Sequence, residues 1–242
     1  MSKYIPIKLK RVSFEWQELG QHSVDDRSIF AFACLVQSEI IALRNILLLA
    51  LHKVEENSTV DCFVSVQRNM LIRLLTGKLW EFTKALGSKA SSRPGISPPV
   101  RAAIEEARAG VKLLKSLPGW IIAATLRDKL AFHYDMGALR KNVQSGIDNF
   151  AADFLIAETD GNCVFRLGEV VANGGRQEGD FDDLLDWNQK MSRVSFNFHV
   201  AVTNILIPSE LYLERERIEE VNFPLDLVCD QTSRLPVIWS TP

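Results

Sequence analysis

Four cysteines and four histidines are all that 242 residues supply of the side chains that most often hold metals or act as nucleophiles. Cys34, Cys62, Cys163 and Cys229 stand far apart, with no C-x-x-C pair. A structural zinc site needs ligands at short spacings, so no metal and no other cofactor is expected. Cys34 and Cys62 fall in apolar helical runs and are expected to be buried free thiols. An excess of one charge is also missing: 28 Lys+Arg against 30 Asp+Glu leave −2. The chain therefore lacks the global basic footprint of an autonomous nucleic-acid binder, and any such contact must come from a local patch or a partner. The opening "MSKYIPIKLKRVSFEW" has no long apolar core of a secretory signal. "IIALRNILLLALHKV" is apolar, but Arg44 and Asn45 interrupt it, and it is expected to be too short to span a bilayer. These absences lead to the expectation of a cytoplasmic protein with no membrane partner.

What is present is the composition of a folded protein: 47% hydrophobic and 24% charged residues, enough to bury a sizeable core. Apolar periodicity predicts a long helix from Asp25 or Asp26, either of which offers an N-cap, to Val54. A second begins at Ser58 or Thr59 and stops at Gly87, ahead of the loop "SKASSRPGISPP". Pro98 and Pro99 suit the first turn of a third helix, and "PGW" at Pro118 to Trp120 ends it. A fourth, "WIIAATLRDKLAFHYD", is followed by "ALRKNVQSGIDNFAADFL" as a further helix. Two apolar runs around Asp160-Gly161-Asn162 predict a small hairpin, and "FDDLLDWNQKMSRVSFNFHVAVTNILI" returns to a helical period. The expected fold is mainly α: a helical bundle of about five to six helices with a small late β-hairpin. Its parts are an N-terminal extended segment (1–24), a bundle (25–154), and a hairpin, additional helix and tail packed on it (155–242).

Within the fourth helix, "LRDKLAFHYD" gathers Arg127, Asp128, Lys129, His133 and Asp135 on an otherwise apolar element. Arg127 and His133 are six residues apart, a step of roughly 9 Å along an α-helix that leaves the side chains about 120° apart. They meet only where a second surface closes over the helix. Histidine holds or releases a proton near neutrality, and arginine offers a permanently charged donor fork matched to phosphate oxygens.

An arginine, a polar residue and a histidine four to six places after the arginine, on a late helix of a bundle, resemble the motif of the HEPN superfamily. Over about Asp25 to Phe154 the chain is similar to that family. The resemblance implies a metal-independent endoribonuclease, often a toxin or antiphage effector, whose two protomers build the site across a homodimer interface. It implies catalytic roles for Arg127 and His133, with Asp128 in the polar second position. Lys129 and Tyr134 are expected to contact RNA, the first through phosphate and the second by stacking on a base. A cognate antitoxin or another protein is the further partner expected.

Other patterns compete. "RVSFNFH", Arg193 to His199, repeats the spacing with Val194 in second place and is read as a chance copy. "LRNILLLALH" has too wide a gap. Gln67, Arg68, Arg73, Lys78 and Glu81 are polar groups on an apolar second helix and face either a cleft or solvent. The acids from Asp180 to Asp186 suit a helix start by their charge. Trp80, Trp120 and Trp187 suggest either a small-ligand pocket or core packing. For His133 the alternative is packing between Phe132, Tyr134 and a neighbouring helix; for Arg127 it is exposure and pairing with a carboxylate on the preceding helix. The rival functional class is a non-catalytic helical interaction module that binds a partner protein.

Overall fold

Ser23 starts the first long helix. Its hydroxyl accepts the Asp26 backbone N–H at 3.0 Å, and α1 runs Val24–Ala50. The sequence offers Asp25 or Asp26 for this role. Both instead lie inside the first turn, where a carboxylate is favoured by the helix dipole. Asp26, only 2% exposed, accepts the backbone N–H of Ser97 at 2.9 Å, tying the start of α1 to the residue just ahead of the helix that Pro98 opens. The computed structural model describes residues 8–12, 15–50, 58–87, 91–127, 136–144, 154–155, 164–165, 171, 178–207 and 218–222.

The chain is mainly helical. After α1 come α2 (Ser58–Ala85), α3 (Pro98–Leu114), α4 (Pro118–Leu126), α5 (Met136–Gln144) and α6 (Glu178–Leu206). A short 3-10 helix, Trp16–Gln21, precedes α1 and buries Leu19. Pro98 and Pro118 each open a helix at its first turn, where the missing N–H costs nothing. Gly87 ends α2 by donating its N–H to Lys84 O at 2.9 Å. Arg108 on α3 then covers that end. Its guanidinium donates to the carbonyls of Leu86 and Gly87 and to Ser91 Oγ, a cation placed where helix carbonyls are left over.

Each bundle helix buries one stripe. On α1 it is Phe30, Ala33, Gln37, Ile40 and Leu47; on α3 it is Val100, Ala103, Ile104, Ala107 and Val111. α6 is the central post, packed against α1, α2, α3 and α4, and its Trp187, Met191, Val202 and Leu206 are fully buried. Gly119 sets the α4–α6 approach: a Cβ there would lie 2.6 Å from Trp187 Cβ and closer still to the Asp183 carbonyl oxygen. Trp80, Trp120 and Trp187 meet at this seam, with Trp80 and Trp120 centroids 4.5 Å apart and Trp187 about 6 Å from each. Thr76 and Asn188 supply a buried polar link, Asn188 Nδ2 donating to Thr76 Oγ1 at 3.0 Å.

Among the described residues, two small antiparallel strand pairs accompany the helices. β1 (Lys8–Val12) pairs with β4 (Ile218–Asn222), with Lys10 opposite Glu220 and Arg11 opposite Glu219. β2 (Phe154–Leu155) and β3 (Val164–Phe165) pair over two residues. The turn expected at Asp160-Gly161-Asn162 falls outside the described residues, as do the expected end of the first helix at Val54 and most of the tail after Pro208. Taken from Val24 to Leu47, α1 is long and apolar enough to cross a membrane, with a mean hydropathy of 1.5. The run "IIALRNILLLALHKV", expected to be too short to span a bilayer, starts within a helix that already begins at Val24.

Candidate functional site

The one-turn spacing on α2 places Lys78, Glu81, Phe82 and Ala85 on one side, at i, i+3, i+4 and i+7. On α1, Phe32, Val36 and Glu39 recur at i, i+4 and i+7. These two rows, with Arg127 from the end of α4, line a solvent-open cavity of about 450 Å³. Phe32 and Phe82 form its aromatic wall, their ring planes within 13° of parallel and their centroids 6.3 Å apart. α4 can hold Arg127 here because its other residues are anchored: Gly119, Ala123 and Leu126 are buried against the bundle.

The charges in this cavity are paired. Arg127 donates through Nε at 2.8 Å and through a terminal nitrogen at 2.7 Å, both to Glu81 Oε1. Lys78 Nζ donates to Glu39 Oε1 at 2.9 Å. Two cations and two carboxylates leave the lining neutral at pH 7. The Arg127 side chain is 24% exposed, so its pair with Glu81 is partly shielded from solvent. Pairing with a carboxylate is the alternative raised above for Arg127. The partner comes from α2 and not, as expected, from the preceding helix α3, because the end of α4 lies over α2, and the pair opens onto a cavity.

Of the residues singled out in "LRDKLAFHYD", the structure places Arg127 at this cavity. Asp128, Lys129, His133 and Tyr134 lie outside the described residues. Lys78 and Glu81, noted on the second helix, line the same cavity. Arg68, from the same group, lies over the Phe181 ring at 5.6 Å, and Gln67 is exposed. The member that sequence reasoning missed is Glu39. Its signal was available: an isolated acid within "SEIIAL", seven residues after Phe32 on the same side of α1.

The second copy of the spacing, on continuous α6, shows what a six-residue step does. Arg193 is exposed, whereas His199 turns toward α1, with Nε2 3.7 Å from Cys34 Sγ. The two side chains diverge as the helical geometry requires. Burial lowers the His199 pKa and raises that of the Cys34 thiol. Both shifts favour the neutral forms, so this pair is not a resting thiolate–imidazolium nucleophile. Cys34 is half-buried and free. Among the described residues, no three of His, Cys, Asp and Glu converge as a metal site, and the acids at Asp180, Asp182 and Asp183 occupy the early turns of α6. No known protein family, curated protein or solved structure matches this chain.

Proposed function

We propose that this chain is a metal-independent endoribonuclease of HEPN type, cleaving single-stranded RNA in the cytoplasm as a toxin or antiphage effector. The observation that supports it is the placement of Arg127: a partly shielded guanidinium, fixed by the buried end of α4, at the mouth of an open cavity. In this reading His133 takes the proton from a 2′-hydroxyl as that oxygen attacks the adjacent phosphorus. The P–O5′ bond breaks, a protonated general acid returns a proton to the departing oxygen, and the products are a 2′,3′-cyclic phosphate and a 5′-hydroxyl. Arg127 carries charge compensation on the phosphorane. Glu81 parks the guanidinium until phosphate competes for it. Asp128 orients Arg127, and Lys129 and Tyr134 engage the RNA strand.

Because a six-residue step separates two side chains by about 120°, one helix poorly completes the site alone. The reading therefore includes a homodimer with both chains contributing, and a cognate antitoxin or other protein that restrains it. It also includes the small late hairpin around Asp160-Gly161-Asn162, supported by the flanking Phe154–Leu155 and Val164–Phe165 pair.

A second reading has a specific observation behind it. Lys78 and Arg127 are both paired to carboxylates, which suits a non-catalytic module docking a protein partner. One experiment separates the two. Purified wild type and His133→Ala are incubated with single-stranded RNA in EDTA. The nuclease reading expects cyclic-phosphate products from wild type and a loss on the order of a hundredfold or more in the variant. Equal cleavage by both, or none by either, leaves the module.

A further inference from the structure

We infer that the cavity between α1, α2 and the end of α4 is a pocket for one nucleobase, with guanine the preferred base. The choice of a nucleobase among planar rings rests on the ribonuclease reading; the pocket's chemistry does not. Its volume of about 450 Å³ falls within the usual range for small-molecule sites and accommodates a nucleotide. Its lining is neutral, with Lys78 held by Glu39 and Arg127 by Glu81. A neutral ring enters along the apolar side of the cavity without competing with either ion pair. Phe32, Val36, Phe82 and Ala85 supply an apolar wall, and half-buried Phe32 offers a ring on which a base stacks.

The polar side of the cavity distinguishes among bases. A carboxylate has about four acceptor positions. The Arg127 bonds take two of these on Glu81, and the Lys78 bond takes one on Glu39. Such carboxylates accept paired N–H donors, which guanine presents together at N1 and N2. Adenine offers a single exocyclic donor group and no N1–H beside it. Cytosine and uracil cover less of the aromatic wall. A guanine in the pocket places its own sugar and phosphate at the mouth beside Arg127, so the pocket selects which phosphodiester is presented.

The test is isothermal titration of the full-length protein with GMP, AMP, CMP and UMP, each in EDTA. GMP is expected to bind at least tenfold more tightly than the other three. Glu81→Gln is expected to erase that preference, since an amide replaces one acceptor by a donor. Val36→Trp fills the cavity from α1 and is expected to abolish nucleotide binding; Ala85→Phe fills it from α2 if the first variant fails to fold. The inference is overturned if GMP does not bind at millimolar concentration, if AMP binds as well as GMP, or if a folded cavity-filling variant keeps its GMP affinity. RNA cleavage without GMP binding removes the base pocket and leaves the nuclease; GMP binding without RNA cleavage keeps the pocket and removes the nuclease.

Discussion

Gly119→Ala is a single-methyl change aimed at the contact that positions α4. The added Cβ would sit 2.6 Å from Trp187 Cβ and closer to the Asp183 carbonyl oxygen, distances at which something must move. Neither neighbour is the far end of a flexible side chain: one is helix backbone and the other is the root of a fully buried tryptophan. Overpacking of this kind costs roughly 1–3 kcal/mol, and backbone opposition puts it near the upper end. Alanine returns up to about 1 kcal/mol through helix propensity. The net expectation is a loss of about 2 kcal/mol, which corresponds to roughly 4–8 °C in Tm for a chain of this size. Urea denaturation with a thermal melt measures it. Gly179→Ala is the control, because nothing lies within 4 Å of a Cβ there and its stability is expected to hold or rise slightly. A nine-residue helix does not persist without packing, so displaced α4 also releases Arg127 from Glu81. An unchanged or raised stability for Gly119→Ala would refute the close α4–α6 approach.

Other expectations concern buried polar groups. Thr76→Val leaves the Asn188 amide, 3% exposed, without its partner and is expected to cost about 1–3 kcal/mol. Adding Asn188→Leu should recover part of that loss, and additive single losses in the double-mutant cycle would contradict the link. For His199, burial lowers the folded-state pKa below the ordinary 6.5, so the unfolded chain binds the extra proton first. Stability from this group is complete above about pH 6.5 and declines as pH falls through the folded pKa. Denaturation at pH 5 and pH 7 should show a smaller difference in His199→Gln than in wild type; equal differences would count against a desolvated imidazole.

The helical fold was legible because its signals are local. Pro98 and Pro118 mark helix starts, Gly87 marks a stop, and the period through Glu178–Leu206 is strong enough to read without neighbours. Competition between adjacent candidates was less legible. Ser23, Asp25 and Asp26 are all good caps, and the choice of Ser23 follows from a tertiary demand: Asp26 is taken by the backbone N–H of Ser97, just ahead of α3. Arg108 closing the end of α2 and β1 pairing with β4 are contacts between residues far apart in the chain, which no local pattern announces. The site divides in the same way. The charge on Arg127 inside an apolar helix singled it out, as did the polar breaks at Lys78 and Glu81. Glu39 was missed because its importance lies in pairing across to α2. The repeated spacing at Arg193 and His199 shows the limit of a motif: on α6 the same two residue types point apart.

The claim on which the account turns is that the Arg127 guanidinium acts on the scissile phosphate. It is tested most directly by single-turnover cleavage of a saturating guanine-containing RNA oligonucleotide in EDTA, comparing wild type with Arg127→Ala. The account predicts a fall in rate on the order of a hundredfold with the melting transition still cooperative. A variant that cleaves at the wild-type rate would contradict it.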